Sequence, residues 1–286
     1  MSDSNVVKPS LQHKAPLPFV GQKRFFLKAF RKVLDEHIPD DGEGWTIIDV
    51  FGGSGLLSNN AKHLKPAAKV IFNDFDNYSE RLKHVVDSNK LRRQLMDVLS
   101  DYPRQKLLDK TIKPKVIDVI KKFEGHIDMR VLSTWLLFAG RHANNLDELY
   151  GSHLYNSLRR TDFPAVDDYL TGVEVVCESY DTLLPQYADQ PKTLLVFDPP
   201  YVNTQQGAYA QTGYFGMVQF LKLMQYVRPP YIFFSSTRSE ILSYLDFVQE
   251  CDQRTWERVG NYEKISLKAC MNKNSSYEDH MIYRFR

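Results

Sequence analysis

The apolar run Leu194-Leu195-Val196-Phe197 ends at Asp198-Pro199-Pro200-Tyr201. Proline has no N–H to continue a ladder and restricts the residue before it, so the run reads as a buried strand that must stop there. Its end brings a carboxylate, a main-chain carbonyl without an intrastrand partner and a flat phenol ring to one point. Asp198 can accept a hydrogen bond, as can the Pro199 carbonyl, and Tyr201 can stack on a planar ring. A planar exocyclic amine suits such a site. The plain alternative is a strand closing in an ordinary Pro-Pro turn.

Further segments place this strand in a repeating pattern. Apolar residues at helical spacing predict a helix over Phe25 to Ile38, ending before Pro39. Thr46 to Phe51 reads as a strand entering a glycine turn, with a helix from Leu56 and a second strand at Lys69 to Asn73. From Tyr78 to about Tyr169 the pattern is mainly helical, and Trp135 to Phe138 is its most apolar piece. Strand signals return at Val173 to Cys177, Thr193 to Phe197 and Tyr231 to Ser235, and a hairpin is expected with arms Lys264 to Lys268 and His280 to Phe285. Strands alternating with helices predict an α/β fold with a mostly parallel sheet covered on both faces. The helical stretch is then an insertion between the second and third strands.

At 286 residues the chain has room for one such domain with an insertion. No apolar run reaches the roughly 20 residues of a membrane span, and Met1 to Pro16 lacks the apolar core of a signal peptide. Cys177, Cys251 and Cys270 are far apart and lack metal-ligand spacing, so reduced thiols in a cytoplasmic protein and no metal are expected. The net charge of +2 implies nothing about nucleic acid. Its distribution is more telling, because ten lysines and arginines between Lys90 and Lys122 face only Asp97, Asp101, Asp109 and Asp118. That excess can track a phosphate backbone or form a solvated helix face.

Asp49-Val50-Phe51-Gly52-Gly53-Ser54-Gly55 joins the first strand to a helix through closely spaced glycines, which permit unusual backbone angles and close approach of a ligand. Gly53, Gly55 and Ser58 have the spacing of a dinucleotide fingerprint, but serine in the third place disfavours a nicotinamide or flavin enzyme. No Gly-Lys-Ser/Thr follows to make a phosphate loop. The next strand ends at Asp74, where a carboxylate can accept from a ribose diol or cap a turn, and Asp76 is the alternative for the ribose.

The glycine turn, the acid after the second strand and Asp-Pro-Pro-Tyr stand in the order that resembles a Dam-type, alpha-group (D12 class) N6-adenine DNA methyltransferase. Phe19-Val20-Gly21-Gln22-Lys23-Arg24 looks like the family's N-terminal motif, with Gln22 where a second glycine is common. Val176 to Tyr180 resembles a further family segment. The resemblance implies a Rossmann-like, S-adenosylmethionine-dependent methyltransferase sheet with an inserted, mainly helical DNA-recognition lobe. It divides the chain into 1–77 for the cofactor, 78–172 for target recognition, and 173–286 for the remaining catalytic domain. It implies cofactor roles for Phe19, Lys23, Asp49, Phe51, Gly52, Gly53, Gly55, Asp74 and Asp198. Asp198, Pro199, Pro200 and Tyr201 would be catalytic.

In such chemistry the adenine amine is a poor nucleophile because its lone pair is delocalised into the ring. Hydrogen bonds to Asp198 and the Pro199 carbonyl would favour a more tetrahedral nitrogen, and the protein's remaining work is positioning and electrostatic. A base stacked in a duplex must be flipped out to reach the pocket, where Tyr201 would stack on it. Asn203 to Gly216 reads as a loop closing over the base, or as an ordinary solvent loop. Candidate DNA contacts in the lobe are Arg141, His142, Asn144, Asn145, Arg159 and Arg160, each with a phosphate-contacting or structural role as the alternative.

The family's Asn-Val-Pro-Phe-Gly-like recognition segment is missing from the lobe. That puts a GATC preference in doubt and leaves room for a prophage-type enzyme of low sequence specificity. Double-stranded DNA is the expected partner, and a monomer is expected, with a dimer as the alternative. The rival readings are an N4-cytosine DNA methyltransferase, an RNA or protein-amide methylase, and an inactive DNA-binding protein of the same fold.

Overall fold

A computed structural model describes residues 8–138, 140–187, 189–202, 215–237, 239–272 and 275–286, with the side chains of 269–277 outside the description. In chain order the elements are α1 (Leu27–His37), β1 (Thr46–Asp49), α2 (Leu56–Leu64) and β2 (Lys69–Asn73). Five helices follow: α3 (Tyr78–Lys83), α4 (Val85–Leu99), α5 (Ile112–Lys122), α6 (Met129–Leu136) and α7 (Leu146–Gly151). Then come β3 (Val173–Val176), α8 (Tyr180–Tyr187), β4 (Thr193–Phe197), α9 (Met217–Met224), β5 (Tyr231–Ser236), α10 (Ile241–Cys251), α11 (Gln253–Val259), β6 (Glu263–Asn272) and β7 (Ser275–Arg284). No helix among the described residues is long and apolar enough to cross a membrane.

Two compact units result. The first comprises 1–14, 21–78 and 167–286, and the second 15–20 and 79–166. The first unit is built on one sheet of order β3-β2-β1-β4-β5-β7-β6. Its first five strands are parallel, and β7 joins antiparallel between β5 and β6. This is a Rossmann-like α/β architecture.

Period-two alternation explains how the sheet is covered, because successive side chains point to opposite faces. Ile47, Val70, Leu194, Val196, Ile232 and Phe234 meet Phe26, Phe30, Leu34 of the first helical segment and Leu56, Leu57 of α2. Ile48, Ile71, Leu195, Phe197 and Phe233 face the other way, against Leu183 of α8, Phe220 of α9 and Leu245 of α10. Burial on both sides is why these strands read as continuous apolar runs.

The strands at Lys69–Asn73 and Thr193–Phe197 occupy the expected residues. The strand expected over Thr46 to Phe51 ends at Asp49, although the Val50 N–H still reaches the Val196 carbonyl at 3.0 Å. The helix expected from Phe25 begins instead as a short 3-10 turn, Arg24–Phe26, before α1. The hairpin arms are longer than expected because their pairing runs on past Lys268 to Asn272, opposite Ser275.

The second unit is helical. Its buried side chains include Leu95, Leu99, Val116, Ile120, Val131, Trp135 and Leu136, and Trp135 stacks on Phe163. Asp128 starts α6 by accepting from the Arg130 and Val131 N–H groups and also pairs with Arg81 at 2.8 Å.

Phe30 is fully buried against Phe234 and anchors α1 to the sheet. Phe30→Ala should lower unfolding free energy by about 3–5 kcal/mol, read from urea denaturation.

Candidate active site

The strand order reverses direction between β1 and β4, since β2 and β3 lie to one side and β5 to the other. Ligands of open α/β sheets bind in the crevice at the carboxyl ends of the strands where this happens. Three acids stand there by register. Asp49 pairs with Phe72 on β2 and with Val196 on β4. Asp74 and Asp198 are therefore each two residues beyond a residue level with Asp49, on the flanking strands.

Lys23 joins this group through the first helical segment. Phe26 and Phe30 seat on Phe234, at ring separations of 5.5 and 6.4 Å, and the turn just before them carries Lys23. Its ammonium lies 2.6 Å from Asp198 Oδ2, with 13% and 19% of the two side-chain surfaces exposed. Gly21 is left-handed at φ 80°, and its carbonyl accepts a second hydrogen bond from Lys23 at 3.0 Å.

Burial pushes the Asp198 carboxyl above its ordinary range, Lys23 pulls it back, and nearby Asp279 adds a further upward push. Asp49 is pushed up to about 7, first by burial, against the opposing hydrogen bond from Ser58, with Asp198 adding repulsion. The Ser58 hydroxyl donates to Asp49 Oδ2 at 2.8 Å, while Oδ1 is buried without a hydrogen-bond partner.

The glycine turn has two distinct physical reasons. Gly53 and Gly55 have φ of 53° and 66°, the region that favours glycine. Gly52 serves packing, because a Cβ there would stand 2.2 Å from the Phe72 ring. Phe51 points into an aromatic group with Tyr180 and Phe215, at 5.9 and 5.8 Å. Asp74 is buried, and its Oδ1 accepts from the Tyr78 N–H at 2.6 Å, capping the start of α3.

Pro199 is buried, while Pro200 and Tyr201 are half-buried. Glu240 holds the residue after Tyr201, its Oε2 accepting from the Val202 N–H at 3.1 Å. Glu240 was not legible in the sequence, where it is one acid in a polar stretch after β5. Asn73 is another such residue. Its amide donates to the Val50 and Glu178 carbonyls at 3.0 and 2.8 Å, tying together the ends of β1, β2 and β3.

The remaining expected residues belong to the second unit or lie outside the described residues. Phe19 belongs to the second unit, where its ring lies 5.9 Å from the Arg130 guanidinium. Asn145 caps α7 by accepting from Glu148, and Asn144 bonds the Glu148 carboxylate. Arg159 lies over Phe163 and donates to the Thr161 and Asp162 carbonyls. Arg141 and Arg160 are exposed, and His142 is half-buried. Of the expected closing loop, 203–214 lie outside the described residues, and Phe215 and Gly216 lead into α9.

Asp49 has a sign-definite consequence for stability. A carboxyl raised in the fold stabilises it below the unfolded value of 3.8, and that stability is lost as pH rises toward 7. Asp49→Asn keeps an acceptor for Ser58 without the buried charge. Between about pH 5 and 7 the wild type should lose stability relative to this variant by about 1.4 kcal/mol per pH unit, read from Tm against pH.

A Haemophilus influenzae protein named "Putative methyltransferase" is 48% identical over 273 residues, covering 95% of this chain and 92% of the relative. Two solved methyltransferase structures align much more loosely. A precorrin-6y C5,15-methyltransferase from Geobacter metallireducens has 9% identity and TM-score 0.36, covering 93% of this chain and 90% of its own. A "putative rRNA-methylase" from Clostridium thermocellum has 10% identity and TM-score 0.32, covering 91% and 96%. Likenesses this loose carry no argument. The sequence model of the D12 class N6 adenine-specific DNA methyltransferases matches residues 19–217, from before Lys23 to past Tyr201, and the chain belongs to that family.

Proposed function

We propose that the chain transfers a methyl group from S-adenosylmethionine to the exocyclic N6 of an adenine flipped out of double-stranded DNA. The observation that carries this reading is Asp198, a charge-paired carboxylate at the reversal point of the sheet, beside the glycine turn and backed by Asp-Pro-Pro-Tyr.

The residues at the switch point fit such a cofactor. Asp49 Oδ1 is a buried acceptor in want of a donor, and the cofactor offers hydroxyls and an ammonium. Gly53, Gly55, Phe51, Asp49 and Asp74 would hold it, with Asp74 taking the ribose in addition to its cap on Tyr78. The bound group supplies an already activated methyl, which leaves the protein to position the amine.

Asp198 does this as an acceptor. A carboxylate has about four lone-pair sites, so it can serve Lys23 and an incoming amine together. Lys23 opposes the upward push of burial on Asp198 and so favours its charged, accepting form. The Pro199 carbonyl accepts a hydrogen bond from the second amine N–H, and Tyr201 stacks on the base. Glu240 keeps Tyr201 in place through the following N–H. Arg141 and Arg160 are the exposed lobe residues proposed to meet DNA, and no base preference is assigned to them.

Unmethylated DNA treated with protein and S-adenosylmethionine, then mapped at single-base resolution, tests the whole reading. Methyl groups on adenine support it, and methyl groups on cytosine alone, or none, sink it. Asp198→Ala should abolish transfer while DNA binding persists in a gel-shift assay, and transfer at the wild-type rate would remove Asp198 from its role. Tyr201→Ala should cost more than Tyr201→Phe, by about the 1–3 kcal/mol of one base–aromatic stack in kcat/KM. Equal losses in both would contradict stacking.

A further inference from the structure

We infer that Tyr169 is a positioning residue for the cofactor turn, holding Gly52–Gly55 ready through its hydroxyl. This rests on the reading of that turn as a cofactor site. Tyr169 is nearly fully buried and lies two residues after Asp167, where the chain re-enters the first unit. Its hydroxyl donates to the Ser54 carbonyl at 2.9 Å. Ser54 is itself buried and stands between the left-handed Gly53 and Gly55.

The phenol is aimed there by a second set of bonds. The Tyr169 carbonyl accepts from Asn59 Nδ2 at 2.9 Å, and the same amide group donates to the Ser10 carbonyl at 3.1 Å. Asn59 Oδ1 accepts from the Gln12 N–H at 3.1 Å. Asn59 thus locks the returning chain and the segment around Ser10 onto α2. Alongside, Leu170 stands 3.2 Å from where a side chain on Gly55 would begin. The main chain at Tyr169 is thus held by Asn59, and its hydroxyl meets the Ser54 carbonyl.

Glycines flanking a peptide leave it many backbone states, and a turn that must be ordered on binding lowers apparent affinity by the fraction of time it is competent. The Tyr169 bond removes that loss in the free protein. Tyr169→Phe keeps the ring and its packing and deletes only this bond. A net hydrogen bond of ordinary strength corresponds to a factor of about 3–10 in affinity.

The test is calorimetric titration of the full chain with S-adenosylhomocysteine, alongside steady-state transfer and amide exchange. In Tyr169→Phe the dissociation constant and the cofactor KM should rise about 3–10-fold, with kcat and the DNA KM unchanged. Amides of residues 53–56 should exchange faster in the ligand-free variant. Equal affinity in both proteins overturns the inference, as does a uniform loss across cofactor KM, DNA KM and kcat, which marks a merely structural role. Failure of the wild type to bind S-adenosylhomocysteine overturns the cofactor reading itself, and this inference with it.

Discussion

The Lys23–Asp198 ion pair is the contact on which the site depends. Asp49, Asp198 and Asp279 crowd one sheet end, and each is pushed up by burial. Lys23 opposes that push on all three and stands 2.6 Å from Asp198. A cation beside a buried carboxylate favours its charged form. The position of Lys23 in turn follows from two phenylalanines, Phe26 and Phe30, resting on Phe234 of β5. Apolar packing on one face of the sheet therefore places the cation that pairs with an acid at its crest.

The sheet supplies the other constraint. Parallel strands in register end nearly level, so functional groups just past β2, β1 and β4 converge without long loops. Small anchors then hold the connections. Asn73 ties three strand ends, Glu240 fixes the segment after Tyr201, and Ser58 turns one oxygen of Asp49. Each is a buried polar group satisfied by a specific partner, and this arrangement makes a site rigid enough for positional chemistry.

Much of this was legible because it was local. The proline pair after Phe197, the glycine turn after Asp49 and the acid after Asn73 each announce the end of a strand in a few residues. Their order pointed to methyl-transfer chemistry and to the insertion between β2 and β3. The glycines show the limit of such reading. Gly53 and Gly55 have the backbone angles that favour glycine, but Gly52 is required by Phe72, twenty residues away. Asn144, Asn145 and Arg159 had the composition of DNA contacts, and their side chains are engaged in capping and local hydrogen bonds.

By itself the sequence determined the alternation of buried strands and helices, and the residue types at each strand end, because hydrophobic period and proline act over a few neighbours. Only the tertiary structure decided which carboxylate has a lysine beside it, which is left with an unpartnered oxygen, and which buried polar groups hold the turns. Those outcomes depend on residues far apart in the chain meeting in a place with little water, where desolvation and one opposing charge set the state of an acid. No window of sequence around Asp198 contains Lys23, and no window around Ser54 contains Tyr169.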